Sequence, residues 1–137
     1  MATKVLDSWA LMAYFGDEPA AEEVEKILLQ AEAGRHKLLL SAVNWGEVYY
    51  SIMREVSQQS AEDKAKEIAG MAIEIVPVKE DLELVRQAAI FKATHKMSYA
   101  DCFAAALAKL KHAELVTGDR EFKSLEGDLK GIVWLRS

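Results

Sequence analysis

Thr3-Lys4-Val5-Leu6-Asp7-Ser8-Trp9-Ala10-Leu11-Met12-Ala13-Tyr14-Phe15 decides how the rest of the chain is read. Thr3 to Asp7 has the composition of a short strand that ends in an acid, and Ser8 stands where an N-cap would start a helix through Phe15. Gly16 and Asp17 break that helix. A strand that runs straight into a helix is the first half of a βαβ unit.

The same alternation continues outward. Pro19 opens a second helix in which Val24, Ile27, Leu28 and Ala31 recur at helical spacing, and Gly34 closes it. Lys37 to Ser41 is a second strand, followed by a helix from about Ala42 to Val56 and another from Ser60 to about Met71. Ile73 to Pro77 is a third strand, closed by its proline. Helices are expected over Asp81–Thr94 and from Ser98 through Leu110. Leu115 to Thr117 is the fourth strand, Gly118-Asp119 a turn, and Ile132 to Leu135 the fifth strand. Strands that alternate with helices predict an α/β fold, a parallel sheet covered on both faces. Functional groups in such folds gather at the carboxyl ends of strands, where Asp7 and Asp119 fall.

The 137 residues suit one domain over residues 1–137, and no segment is long and apolar enough to span a bilayer. Met1 leads directly into the first strand without the charged, apolar and cleavable regions of a secretory signal, so a cytoplasmic address with no membrane partner is expected. The single Cys102 forms no internal disulfide, and its apolar surroundings predict a buried structural thiol. His36, His95 and His112 are too scattered for a zinc site. A net charge of −5 argues against nucleic-acid binding unless several of the acids are gathered to hold cations.

Four acids have the placement for that. Asp7 follows the first strand; its bland role is a turn or helix cap. Glu47 lies in Ser41-Ala42-Val43-Asn44-Trp45-Gly46-Glu47, on a polar stripe with Asn44, Ser51 and Arg54 that an ordinary solvated face also explains. Asp101 stands at capping-box spacing from Ser98, so it can serve the helix start alone. The helix that follows is apolar nearly all round, however, and a buried carboxylate needs a partner. Asp119, just past the fourth strand, is equally suited to a turn. If the first strand lies beside the fourth, Asp7 and Asp119 emerge together, and Glu47 and Asp101 can join them. Two carboxylates about 4 Å apart repel by roughly 4 kcal/mol at an effective dielectric near 20. Protonation or bound cations must relieve that cost, and oxygen-only ligands favour Mg2+, with Mn2+ as a substitute.

Val5-Leu6-Asp7-Ser8, the segment Ser41–Glu47, Ser98-Tyr99-Ala100-Asp101-Cys102-Phe103-Ala104-Ala105-Ala106 and Thr117-Gly118-Asp119-Arg120-Glu121-Phe122 resemble, in order, the landmarks of PIN domains, specifically those of VapC-type toxins. The resemblance implies a three-layer α/β/α fold around a parallel sheet of about five strands. It also implies Mg2+-dependent endoribonuclease activity, with Asp7, Glu47, Asp101 and Asp119 as catalytic and metal-holding residues and Ser8 and Thr117 supporting them. A homodimer and a cognate antitoxin follow from it as expected partners, with RNA as substrate. Arg54 is a candidate for a substrate phosphate, with a surface pair to Glu55 or Glu47 as its ordinary role. Lys92, Lys96, Arg120 and Lys123 flank the expected cleft, and Trp9, Tyr14, Phe15, Tyr49 and Tyr50 suit core or dimer packing better than base stacking. The rival readings are a catalytically silent PIN-like module that binds RNA or protein, a purely structural interaction protein, and a phosphoacceptor receiver domain. The last fits badly: Asp7 is followed by Ser8, the third strand meets Pro77, and no Lys follows the fifth strand.

Overall fold

The computed structural model describes residues 2–137. The elements are β1 (Ala2–Leu6), α1 (Ser8–Phe15), α2 (Ala21–Glu32), β2 (His36–Ser41), α3 (Ala42–Glu55), α4 (Gln58–Ala69), β3 (Glu74–Val76), α5 (Glu83–Thr94), α6 (Tyr99–Leu110), β4 (Glu114–Thr117) and β5 (Ile132–Trp134). All strand pairs are parallel, in the order β3-β2-β1-β4-β5. The sheet and its flanking helices form the expected PIN-like three-layer α/β/α arrangement.

Successive strand residues face opposite sides of the sheet, and here both sides are covered. Val5, Leu39 and Leu115 pack with Phe91, Phe103 and Leu107 of α5 and α6. Their neighbours Leu6, Leu38, Leu40 and Val116 pack on the other face with Leu11, Val24, Leu28, Val48 and Ile52 of α1, α2 and α3. Every residue from Asp101 to Ala108 is buried, Cys102 included, and the small alanines let α6 approach the sheet. No helix among the described residues is long and apolar enough to cross a membrane.

Several helix starts differ from expectation, each for a local reason. Asp7, not Ser8, caps α1: its backbone is extended, and its Oδ1 accepts the Ala10 N–H at 2.9 Å. The second helix begins at Ala21 rather than Pro19, after a turn closed by the Ala21 N–H on the Glu18 carbonyl at 2.8 Å. Ser57, whose Oγ accepts from Ser60 N at 3.0 Å, caps α4, which begins at Gln58, two residues before the expected Ser60. Asp81 stays outside α5 because Leu82 takes a left-handed φ of 60°. The segment Arg120–Asp128, expected only to follow a turn, winds into 3-10 helix and buries Phe122 and Leu125.

Candidate metal centre

The strand order puts β1 next to β4, with β2 leading away on one side and β5 on the other. A crevice forms where the chain changes direction, outside the carboxyl ends of the central strands. Asp7 leaves β1 there, and Asp119 follows β4. Thr117 locks the two together. Its hydroxyl donates to Asp7 Oδ2 at 2.5 Å and accepts from the Asp119 backbone N–H at 3.0 Å.

Asp101 enters from α6. Ser98 caps that helix, its Oγ accepting the Asp101 N–H at 3.2 Å, so the capping role and the inward placement of the carboxylate coexist. Glu47 enters from α3, where Ser8 Oγ donates to its Oε1. Asn44, one turn earlier, is fully buried and donates from Nδ2 to the Ala100 carbonyl at 3.0 Å, which fixes α3 against the start of α6. Carboxylate oxygens of Asp101, Asp119 and Glu121 all lie within 4.8 Å of one another.

The electrostatics follow from this packing. Burial pushes the Asp7 carboxyl up to about 8; Asp101 and Asp119 raise it further, against hydrogen bonds from Thr117 and Ala10. Asp101 is pushed up to about 6, first by burial and then by Asp119, with Glu47 and Glu121 adding to the rise and Ser98 opposing it. A buried carboxylate surrounded by others either takes a proton or holds a cation. Oxygen-only donors of this kind suit a hard divalent ion.

Of the expected residues, Asp7, Glu47, Asp101 and Asp119 thus face one crevice, with Ser8 hydrogen-bonded to Glu47 and Thr117 to Asp7 and the Asp119 backbone. Arg54 is exposed, with its guanidinium 4.8 Å over the Tyr50 ring, and it pairs with neither Glu47 nor Glu55 among the described residues. Glu121 is the acid that sequence reasoning passed over. Asp119 Oδ1 accepts the Glu121 N–H at 3.0 Å, and that cap turns the second acid back toward the first. An Asp-x-Glu separated from a strand by one residue was the available signal.

The comparisons agree with this fold. A chain of the VapBC2 complex from Rickettsia felis, bound to a promoter DNA fragment, superposes with a TM-score of 0.73 at 15% identity, covering 98% of this chain and 99% of that one. A chain of the DNA-bound VapBC from Salmonella typhimurium gives 0.73 at 14% identity, covering 97% and 98%. The sarcin-ricin loop cleaving toxin VapC20 from Mycobacterium tuberculosis gives 0.67 at 16% identity, covering 90% and 94%. At such identities the likeness is one of fold. No curated protein sequence matches the chain. The PIN domain model matches residues 4–128, a span that takes in every acid of the crevice, and the chain belongs to the PIN domain family.

Proposed function

We propose that the chain is a Mg2+-dependent endoribonuclease and the toxin of a type II toxin–antitoxin pair. The observation that carries the proposal is the convergence of Asp7, Asp101, Asp119 and Glu121, with Glu47 beside them, from four separate segments onto one crevice. Asp101, Asp119 and Glu121 are the nearest set to share one ion, while Asp7 and Glu47 complete the acidic wall. A divalent ion held there supplies Lewis acidity to the scissile phosphate and lowers the pKa of water at the site. The chain's own part is to hold its carboxylates fixed; Asp7 and Asp101, whose pKa values burial raises, would give up their protons to a bound ion. Thr117 aims Asp7, Ser8 aims Glu47, and the Ser98 cap aims Asp101. No histidine takes part in these contacts, so proton transfer falls to water and the carboxylates. Products ending in 5′-phosphate and 3′-hydroxyl are expected.

The toxin assignment draws on the solved VapBC complexes that share the fold. An apolar groove of about 590 Å3, lined by Trp9, Met12, Phe15, Ile52 and Val56 at the junction of α1, α3 and α4, supports a protein partner such as an antitoxin segment. A homodimer acting in the cytoplasm, with residues 1–137 as one PIN domain, completes the reading.

The test is cleavage of total RNA with Mg2+ or Mn2+, comparing wild type with Asp101→Asn and mapping the ends. Metal-dependent cuts that vanish in the variant support the proposal. Ends bearing 2′,3′-cyclic phosphate contradict it. Metal-stabilised protein that leaves all RNA intact favours the silent, binding-only module instead.

A further inference from the structure

Beside the acidic crevice lies an open cleft of about 780 Å3, lined by Lys92, Thr94, His95, Lys96, Ser98 and Glu121. It is continuous with the candidate metal centre through two residues. Glu121 belongs both to this lining and to the close acidic trio, and Ser98 caps Asp101. We propose that this cleft holds the sugar–phosphate backbone of single-stranded RNA next to the scissile phosphate, with Lys96 and Lys92 on phosphate and His95 on ribose. This inference rests on the nuclease reading above.

Three observations carry it. First, a chain of net charge −5 with five acids at one crevice repels a polyanion, so local cations must offset that field. Some cations of the molecule are engaged elsewhere: Lys4 by Glu114, Lys37 by Glu74, Arg120 by the Trp134 ring and Arg54 by Tyr50. Lys96 is exposed on the cleft and enters no ion pair or side-chain hydrogen bond among the described residues. Second, Lys92 is fixed in place. Its Nζ donates to the Met97 carbonyl at 2.7 Å, which leaves two N–H bonds for a ligand.

Third, the His95 ring is held from two sides. It stands edge-on to Phe91, with centroids 6.0 Å apart, and its Nδ1 lies 2.9 Å from Thr94 Oγ1. The Thr94 hydroxyl already donates to the Ile90 carbonyl at 2.8 Å, so toward His95 it accepts, and Nδ1 carries the proton. In that tautomer Nε2 is the ring's acceptor, the complement of a ribose 2′-hydroxyl. That hydroxyl is the group by which a protein distinguishes RNA from DNA.

The test uses the full chain carrying Asp101→Asn, to prevent cleavage, and a fluorescein-labelled mixed-sequence single-stranded RNA together with the DNA of the same sequence. Affinities are measured across a salt series. Lys96→Ala is expected to flatten the dependence of log K on log salt by about 0.7, the share of one phosphate contact on a single strand. Lys96→Glu is expected to weaken binding further, and His95→Ala to narrow the preference for RNA over DNA. In the otherwise wild-type chain, Lys96→Ala keeps the Mn2+-induced rise in Tm. Parent-like salt slopes for both Lys96 variants, or an RNA-to-DNA ratio indifferent to His95→Ala, overturn the cleft assignment. If that happens while wild type still cleaves RNA, only the cleft fails; loss of the Mn2+ effect and of cleavage in wild type brings down the nuclease reading itself.

Discussion

Thr117 and Asp7 lie 110 residues apart in the chain and share a buried hydrogen bond of 2.5 Å. Both are fully buried. The bond joins β4 to the end of β1, and the same hydroxyl receives the Asp119 N–H. Thr117→Val keeps the shape and removes the donor and acceptor. A buried polar group left without its partner costs about 1–3 kcal/mol. We expect a loss of that size in urea denaturation, together with weaker Mn2+ stabilisation, and Thr117→Ser should restore most of both.

Asp7→Asn and Asp101→Asn separate folding from ion binding. A ligand present at about 100 times its Kd stabilises the native state by about 2.7 kcal/mol. Wild type should show a rise in Tm with Mn2+ or Mg2+, and each variant should lose most of it while its circular dichroism stays native. A variant that keeps the full rise would remove that acid from the metal centre.

The pH dependence follows from Asp7 with a definite sign. Its carboxyl is raised from 3.8 to about 8 in the fold, so the native state holds a proton that the unfolded chain releases. That contribution is complete below pH 3.8 and is lost as pH climbs toward 8. Asp101, raised to about 6, acts in the same direction over the lower part of that window. In EDTA, stability should therefore fall between about pH 4 and 8. Asp7→Asn should reduce the slope. Ion binding has to displace these protons, so Mn2+ affinity should rise over the same range.

Gly118 sits between Thr117 and Asp119, under the Trp9 indole. A Cβ at this position would meet Trp9 ring carbons at 2.2 Å and 2.4 Å, too close for any side chain. Gly118→Ala should cost about 1–3 kcal/mol through overpacking. Trp9→Leu should recover part of that loss in the double variant, because it removes the ring that the methyl strikes. A denaturation cycle over the four proteins checks the coupling.

Ser98 gives a smaller effect. Ser98→Ala removes the cap that accepts the Asp101 N–H and should cost about 1 kcal/mol. It should also lower the rate of metal-dependent RNA cleavage, because Asp101 lies in the first turn of the helix that the cap orders. Ser98→Asp should keep the stability.

Local chemistry made much of this protein legible from its sequence. Apolar strand segments alternating with helical periodicity at Val24, Ile27, Leu28 and Ala31 depend only on neighbours, and they determined the α/β class and the parallel sheet. The run of alanines after Asp101 likewise determined that α6 is buried. Helix starts were less legible, since Asp7 and Ser8, or Ser57 and Ser60, are interchangeable as caps until backbone dihedrals select one. What the tertiary structure alone decided is who meets whom across the crevice. The β1–β4 pairing joined Asp7 to Thr117, the Asn44 bond to Ala100 set α3 against α6, and the turn capped by Asp119 brought in Glu121. Periodicity records which face of an element is apolar, whereas the convergence of carboxylates depends on strand order and helix placement, which long-range packing sets.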